Sequence, residues 1–248
     1  MKKMLFRAFG LSAFLMLSGG IGARAQNALL ETNNAAPVAA VNYSIKSNFF
    51  FGIQVGTGMR IETFDAGDDW KIRNTINFEN GIITDTVFID KKTLLLKKGI
   101  SREFDKTVEY QIKDGKAFGV IAKGKKSKPF SVDVGADVSG SRTYLFVLYA
   151  LLPIDRDYAA TVKIFDPGEK QIETLNVRVV GEEAVAVSAG TFDCYKVRFE
   201  QISGREKNVE VWLDKNTRRL IKMNAAIGML KGFKVSAELD EPARKINL

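Results

Sequence analysis

From about residue 43 onward the chain keeps a two-residue rhythm of apolar and polar side chains, segment after segment. A strand points successive side chains to opposite faces, so such a run buries one face and wets the other, whereas a helix needs apolar positions three and four apart. Ile53, Val55, Met59 and Ile61 share one parity, as do Trp70, Ile72, Ile76 and Phe78. Val108, Tyr110 and Ile112 alternate with Thr107, Glu109 and Gln111, and Leu175, Val177 and Val179 with Thr174, Asn176 and Arg178. Tyr195, Val197 and Phe199, then Val209, Val211 and Leu213, and finally Phe233, Val235, Ala237 and Leu239 continue the pattern. Turn chemistry separates the runs, in Asp65-Ala66-Gly67, Asn80-Gly81, Asp114-Gly115, Asp166-Pro167-Gly168, Ala189-Gly190, Ser203-Gly204 and Asp214-Lys215-Asn216. The spacing predicts about ten to twelve short strands. No repeat of about 20 to 50 residues is detectable. The fold class expected is all-β, a curved antiparallel sheet forming a barrel or half-barrel over residues 43–248, either as one body or as two lobes meeting near 136–157.

One segment breaks the rhythm. Tyr144 to Leu152 is uninterrupted by any polar residue and ends at Pro153, with Ser139 and Ser141 ahead of it as N-caps. It reads as one short apolar helix near 141–152, too short to span a bilayer. Such a helix either plugs one end of the curled sheet or forms the lid of a hydrophobic cavity. The lid reading makes Tyr144, Phe146, Leu148 and Tyr149, with inward Tyr195, Val197 and Phe199, the candidate ligand-lining residues. The tyrosine hydroxyls of the helix would supply polar handles.

Residues 1–25 have the three parts of a secretory signal: a basic start at Lys2, Lys3 and Arg7, a short apolar core from Ala8 to Leu17, and Ala23-Arg24-Ala25 before Gln26. Cleavage there is expected, giving a soluble, periplasmic or otherwise extracytoplasmic protein with no transmembrane segment in the mature chain. A lipoprotein signal would need a cysteine at the cleavage point, and the only cysteine is Cys194. Removing Lys2, Lys3, Arg7 and Arg24 lowers the formal charge from +8 to +4, so no nucleic acid is expected as a partner. Residues 26–42 read as a mobile N-terminal segment.

The chain has no histidine. That excludes Ser-His-Asp triads, Cys-His dyads and imidazole metal sites, and no metal or other cofactor is expected. A lone cysteine leaves no intramolecular disulfide. Gly56-Thr57-Gly58 lacks the third glycine and the following helix of a dinucleotide fingerprint. Acid–base hydrolysis would need a carboxylate pair, for which Asp65, Asp68 and Asp69, or Glu182 and Glu183, are the candidates. The lysines at 91–92, 97–98 and in Lys123-Gly124-Lys125-Lys126-Ser127-Lys128 read as solvated turns that protect sheet edges, with docking to anionic headgroups as the functional alternative. Cys194 falls on the parity of Lys196 and Arg198, so either a bulge near Asp193 shifts the register or the thiol lies on the outer face beneath another element. Trp212 also falls on the polar parity, as a contact point or packed under a neighbouring loop.

The run Ala189 to Val197 (AGTFDCYKV), with Val211-Trp212-Leu213-Asp214 and Thr217 to Lys222 after it, resembles a bacterial family of exported proteins of unknown function. The likeness covers about Tyr43 to Leu239 and is sharpest from Gly181 to Met223. It implies a curved, barrel-like antiparallel β fold and brings no catalytic residues. Three functional readings stand. The first is a non-enzymatic envelope protein binding a lipid or other hydrophobic small molecule in a cavity. The second is an interaction module with a filled core and an envelope protein partner. The third is a carboxylate-dependent hydrolase.

Overall fold

The structure is a computed structural model that describes residues 40–48, 54–78, 81–141, 148–149, 151–202, 207–227 and 234–240. Eight strands form a meander in which each pairs antiparallel with the next: β1 (Ala40–Asn48), β2 (Gln54–Ala66), β3 (Asp69–Phe78), β4 (Gly81–Asp90), β5 (Leu96–Glu103), β6 (Lys106–Lys113), β7 (Lys116–Lys123) and β8 (Lys126–Asp133). Seven more follow: β9 (Val138–Ser141), β10 (Ala159–Asp166), β11 (Gln171–Val187), β12 (Gly190–Gln201), β13 (Lys207–Asp214), β14 (Leu220–Ile227) and β15 (Lys234–Leu239). They are antiparallel from β10 to β15, with β9 added parallel to β10. All fifteen make one sheet, in the order β8-β7-β6-β5-β4-β3-β2-β1-β15-β14-β13-β12-β11-β10-β9. The first strand and the last are neighbours at its centre, with Tyr43 opposite Leu239.

The all-β, mostly antiparallel class is as expected, with more strands than the alternation alone resolves. The reason lies in strands such as β7 and β8, which are too wet to show a clear period. The sheet is not closed, because β8 and β9 are edges that do not pair. It does bend far enough for its two arms to touch. β5 contacts β9, and the Tyr110 ring on β6 meets Phe165 on β10 edge-on, 5.3 Å between centroids. Gly99 opposite Tyr110 is needed for this, since a Cβ there would stand 2.5 Å from the Tyr110 oxygen. One core runs along the concave side, from Tyr43, Met59, Ile61, Ile72, Ile89 and Val108 to Val162, Leu175, Val177, Phe199, Val211 and Leu239.

Most of the short helix expected near 141–152 lies outside the described residues. What is described there is Leu148, Tyr149 and Leu151 in helical conformation and a bond from Leu152 N–H to Leu148 O, 3.0 Å. Ser139 and Ser141, expected as caps, belong to β9 and are buried. β1 starts at Ala40, inside the segment 26–42. Among the described residues no helix is long and apolar enough to cross a membrane.

The two arms share a repeat far longer than 50 residues. Val87-Phe88-Ile89-Asp90-Lys91-Lys92-Thr93 recurs as Val211-Trp212-Leu213-Asp214-Lys215-Asn216-Thr217, and Trp70-Lys71-Ile72-Arg73 as Tyr195-Lys196-Val197-Arg198. The backbone follows the letters. Asp90 accepts from Thr93 N–H (2.9 Å) and Asp214 from Thr217 N–H (2.9 Å), each carboxylate holding its own turn. The next residue adopts a positive φ in both, 56° at Leu94 and 58° at Arg218, and each loop is followed by a register shift. Lysines cover the same rings: Lys91 over Trp70 and Lys215 over Tyr195, Lys98 over Phe88 and Lys222 over Trp212. β7 and β8 fall outside the repeat.

Candidate functional site

The candidate ligand-lining residues come partly together. Tyr144 and Phe146 lie outside the described residues. Leu148, Val197 and Phe199 are fully enclosed, and the Tyr149 ring, 1% exposed, sits 4.5 Å from the Phe199 ring. These are contacts of packed side chains. Burial pushes the Tyr149 hydroxyl far above its usual titration range. Tyr195 is half-buried and packed against the same core, with Lys215 Nζ 5.6 Å and Arg218 Cζ 5.0 Å from its ring centre.

A cavity lies elsewhere, where the two arms meet. It holds about 140 Å³ between β4–β6 and β9–β10, with a mixed lining in which Val87, Ile100 and Val108 stand beside Asp85, Tyr110 and Asp166. The Tyr110 hydroxyl shares a hydrogen bond with Ser141, and burial, with Asp85 adding to it, drives the phenol far above its usual range. Asp166 spends one oxygen on its own turn, accepting from Gly168 N–H at 2.9 Å and Glu169 N–H at 3.1 Å. Ligand pockets usually run to about 300–1,000 Å³ and are mainly apolar. This notch has room for a few waters or a small polar group. The alternation could not reveal it, because it needs β6 and β10 to meet across the molecule.

The acidic residues weighed as catalytic pairs lie outside the notch, and most are held by a cation or an N–H donor. Asp65 is paired with Lys91 (2.8 Å) and Asp69 with Lys97 (2.5 Å). Glu182 takes Arg156 and Lys215, both at 2.7 Å, and these hold its carboxyl down at about 2, Arg156 first. Glu183 accepts from the Trp212 indole N–H at 2.5 Å. That bond explains Trp212: it is packed on the polar parity under a neighbouring carboxylate, with Lys196 5.0 Å from its ring centre. Among the described residues no group of three or more potential ligands is placed to hold a metal ion.

Cys194 keeps the parity of Lys196, since the pairing of β12 with β13 runs unbroken past it, and it is fully buried. The register shift lies on the partner strand, between Val179 and Gly181. Burial first, then the carboxylates of Asp214, Asp193 and Glu183, push the thiol up to about 12. It stays protonated near neutrality and is a poor nucleophile. Gly56 and Gly58 lie inside β2, away from any helix start.

A family model described as "Protein of unknown function (DUF3108)" matches residues 39–234, a span that includes all three segments of the sequence resemblance. No curated protein matches. Among solved structures, an exported protein with a YmcC-like fold from Bacteroides fragilis is 14% identical, with 84% of this chain and 96% of that chain covered at a TM-score of 0.33. The hypothetical lipoprotein YmcC from Escherichia coli is 9% identical, with 88% and 89% covered and the same TM-score.

Proposed function

Since the chain belongs to the DUF3108 family of proteins of unknown function, we propose a role from its geometry: a non-enzymatic protein of the cell envelope, exported by its N-terminal signal, that works through its surface and not through a ligand cavity. The observation that carries this reading is the enclosed contact of Tyr149 with Phe199, beside Leu148 and Val197, where an acyl pocket would have had to open. Interiors at native density leave few voids larger than a water. The notch between the arms, at about 140 Å³, gives the lipid-carrier reading little room. The absence of histidine, the protonated Cys194 thiol and the ion-paired acidic residues favour a chain without catalytic chemistry. Export rests on residues 1–25, whose basic start, apolar core and small-residue site match a cleaved signal.

Two measurements test this. Organic extraction of the protein purified from the host envelope, followed by mass spectrometry, is expected to release no stoichiometric lipid. One acyl lipid per chain would overturn the filled-core reading. N-terminal sequencing of the same material is expected to begin at Gln26, and a retained Met1 would overturn the export reading.

A further inference from the structure

Three of the most exposed large apolar side chains, Phe104 (63%), Ile82 (58%) and Ile202 (56%), stand at the same end of the sheet. Phe104 is the odd one. It opens the two-residue turn between β5 and β6 with φ +50°, in the left-handed region that suits glycine or asparagine and strains a bulky residue. Its ring lies over Gly81, where a Cβ would come within 3.2 Å of it. A positive φ at a bulky residue costs free energy, and contact with Gly81 still leaves the ring 63% exposed, so the fold alone does not account for Phe104.

The β7–β8 turn is tied directly to this one. Gly124 N–H donates to Asp105 O at 3.1 Å, and Lys106 pairs in register with Lys123. Lys123, Lys125, Lys126 and Lys128 are all exposed, and none has an ion-pair partner among the described residues. Many cations elsewhere on the sheet are matched, as in Lys97 with Asp69 and Asp90, Arg198 with Glu210, and Lys222 with Glu238. Those unmatched among the described residues, such as Lys113 and Lys170, stand singly, whereas four crowd this tip. The acidic groups at the tip are Glu103 and Asp105, fewer than the cations around them, which include Arg102 and Lys106. Lysines on an edge strand do protect it from pairing. They do not account for a strained, bare phenylalanine beside them.

We propose that the tip formed by the β5–β6 and β7–β8 turns docks on an anionic phospholipid surface, with Phe104 and Ile82 entering the headgroup layer and Lys123, Lys125, Lys126 and Lys128 meeting its phosphates. Apolar side chains that enter the interface add to the attraction of a polybasic patch for anionic headgroups. The inference rests on the surface-acting reading above and names its partner.

Co-sedimentation of the purified protein with vesicles of phosphatidylglycerol, and separately of phosphatidylcholine, tests it. Binding is expected to the first and not to the second, and to fall as salt screens the surface. Each surface lysine contributes about fivefold, so Lys125→Ser, Lys126→Ser and Lys128→Ser together are expected to weaken binding about a hundredfold. Phe104→Gly is expected to weaken it about tenfold or more while leaving the thermal midpoint unchanged or raised, because glycine suits that backbone. Equal binding to both vesicles, or binding indifferent to the lysines, would overturn the proposal. So would a dimer that Phe104→Gly dissociates in the absence of lipid, which would make the tip an interface between copies. A protein that carries stoichiometric lipid yet docks through this tip loses only the filled-core reading. One that extracts clean yet ignores anionic vesicles loses only the docking.

Discussion

The β3–β5 and β12–β14 copies use the same loop in two different surroundings. In the first, Lys97 sits at the register shift and reaches Asp69 (2.5 Å) and Asp90 (2.9 Å), with its own side chain 42% exposed. In the second, Ile221 and Cys194 stand where Lys97 and Asp69 stood, both fully buried, while Asp214 at the place of Asp90 keeps its carboxylate, also buried. The cause is the neighbouring hairpin. The shift between Val179 and Gly181 bends β11 until it touches β14, and the β11–β12 turn is tied to β15 by the Ser188 hydroxyl, which donates to Leu239 O at 3.0 Å. β2–β3 makes no such cover. One local design therefore holds a lysine between two carboxylates where water reaches it, and replaces the lysine and one carboxylate by apolar side chains where water does not, leaving Asp214 to its turn.

The contrast can be broken by putting the wrong chemistry in the covered copy. Ile221→Lys is expected to cost about 3 kcal/mol in urea unfolding, from overpacking and from a desolvated ammonium that only Asp214 is placed to compensate. Adding Cys194→Asp should recover part of it by rebuilding the Asp69–Lys97 arrangement. A neutral Ile221→Lys would mean that the copies do not differ in access to water.

A deep position of the repeat gives a pair of opposite sign. Phe199 corresponds to Asn74, which is buried with no hydrogen-bond partner on either amide atom among the described residues. Phe199→Ala is expected to lose about 3–5 kcal/mol and to free the Tyr149 ring. Asn74→Val is expected to gain about 1 kcal/mol by removing an unmet amide. Destabilisation by Asn74→Val would show that the amide has a partner, a water for instance, that its counterpart lacks.

In the wet copy the effects shrink. Lys97→Met is expected to change stability by less than about 1 kcal/mol, the usual worth of an exposed pair. The smallest signal is titratable. Partial burial works against charge on Asp90, but the Lys97 ammonium and the donors of Thr93 and Lys92 outweigh it and hold the carboxyl at about 2. Its value in the unfolded chain is near 4, so the stability it contributes is complete above about pH 4 and is lost as pH falls toward 2. The urea midpoint should fall over that window, and Asp90→Asn should flatten the fall.

How much of this was legible beforehand differs by region. Val108, Tyr110, Leu175, Val177, Val197, Phe199, Val211 and Leu213 were placed on the buried face by parity alone, because each strand buries one side. β7 and β8 escaped, since their polar residues blur the period and even Phe118 and Val120 stand exposed, and nothing in a period reports an edge. The repeat escaped because its copies lie 124 residues apart, from Asp90 to Asp214, and match over short runs interrupted by changes such as Leu94-Leu95 to Arg218-Arg219. The notch at Tyr110, Ser141 and Asp166 joins strands distant in sequence, and periodicity carries no such information. Phe104 was invisible for another reason: the residue is ordinary and only its backbone angle is not.

The pairing of β1 with β15 sets the timing of assembly. Closing the central seam joins residues almost two hundred positions apart, so each meander can zip locally but the two halves are strangers until residue 239 is available. A chain emerging from one end, off a ribosome or through a pore, would stay loose along its middle until nearly all of it had arrived, a state suited to threading and exposed to proteases. Loss of the last strand would unstitch the molecule at its centre, where trimming most sheets would only shorten a margin.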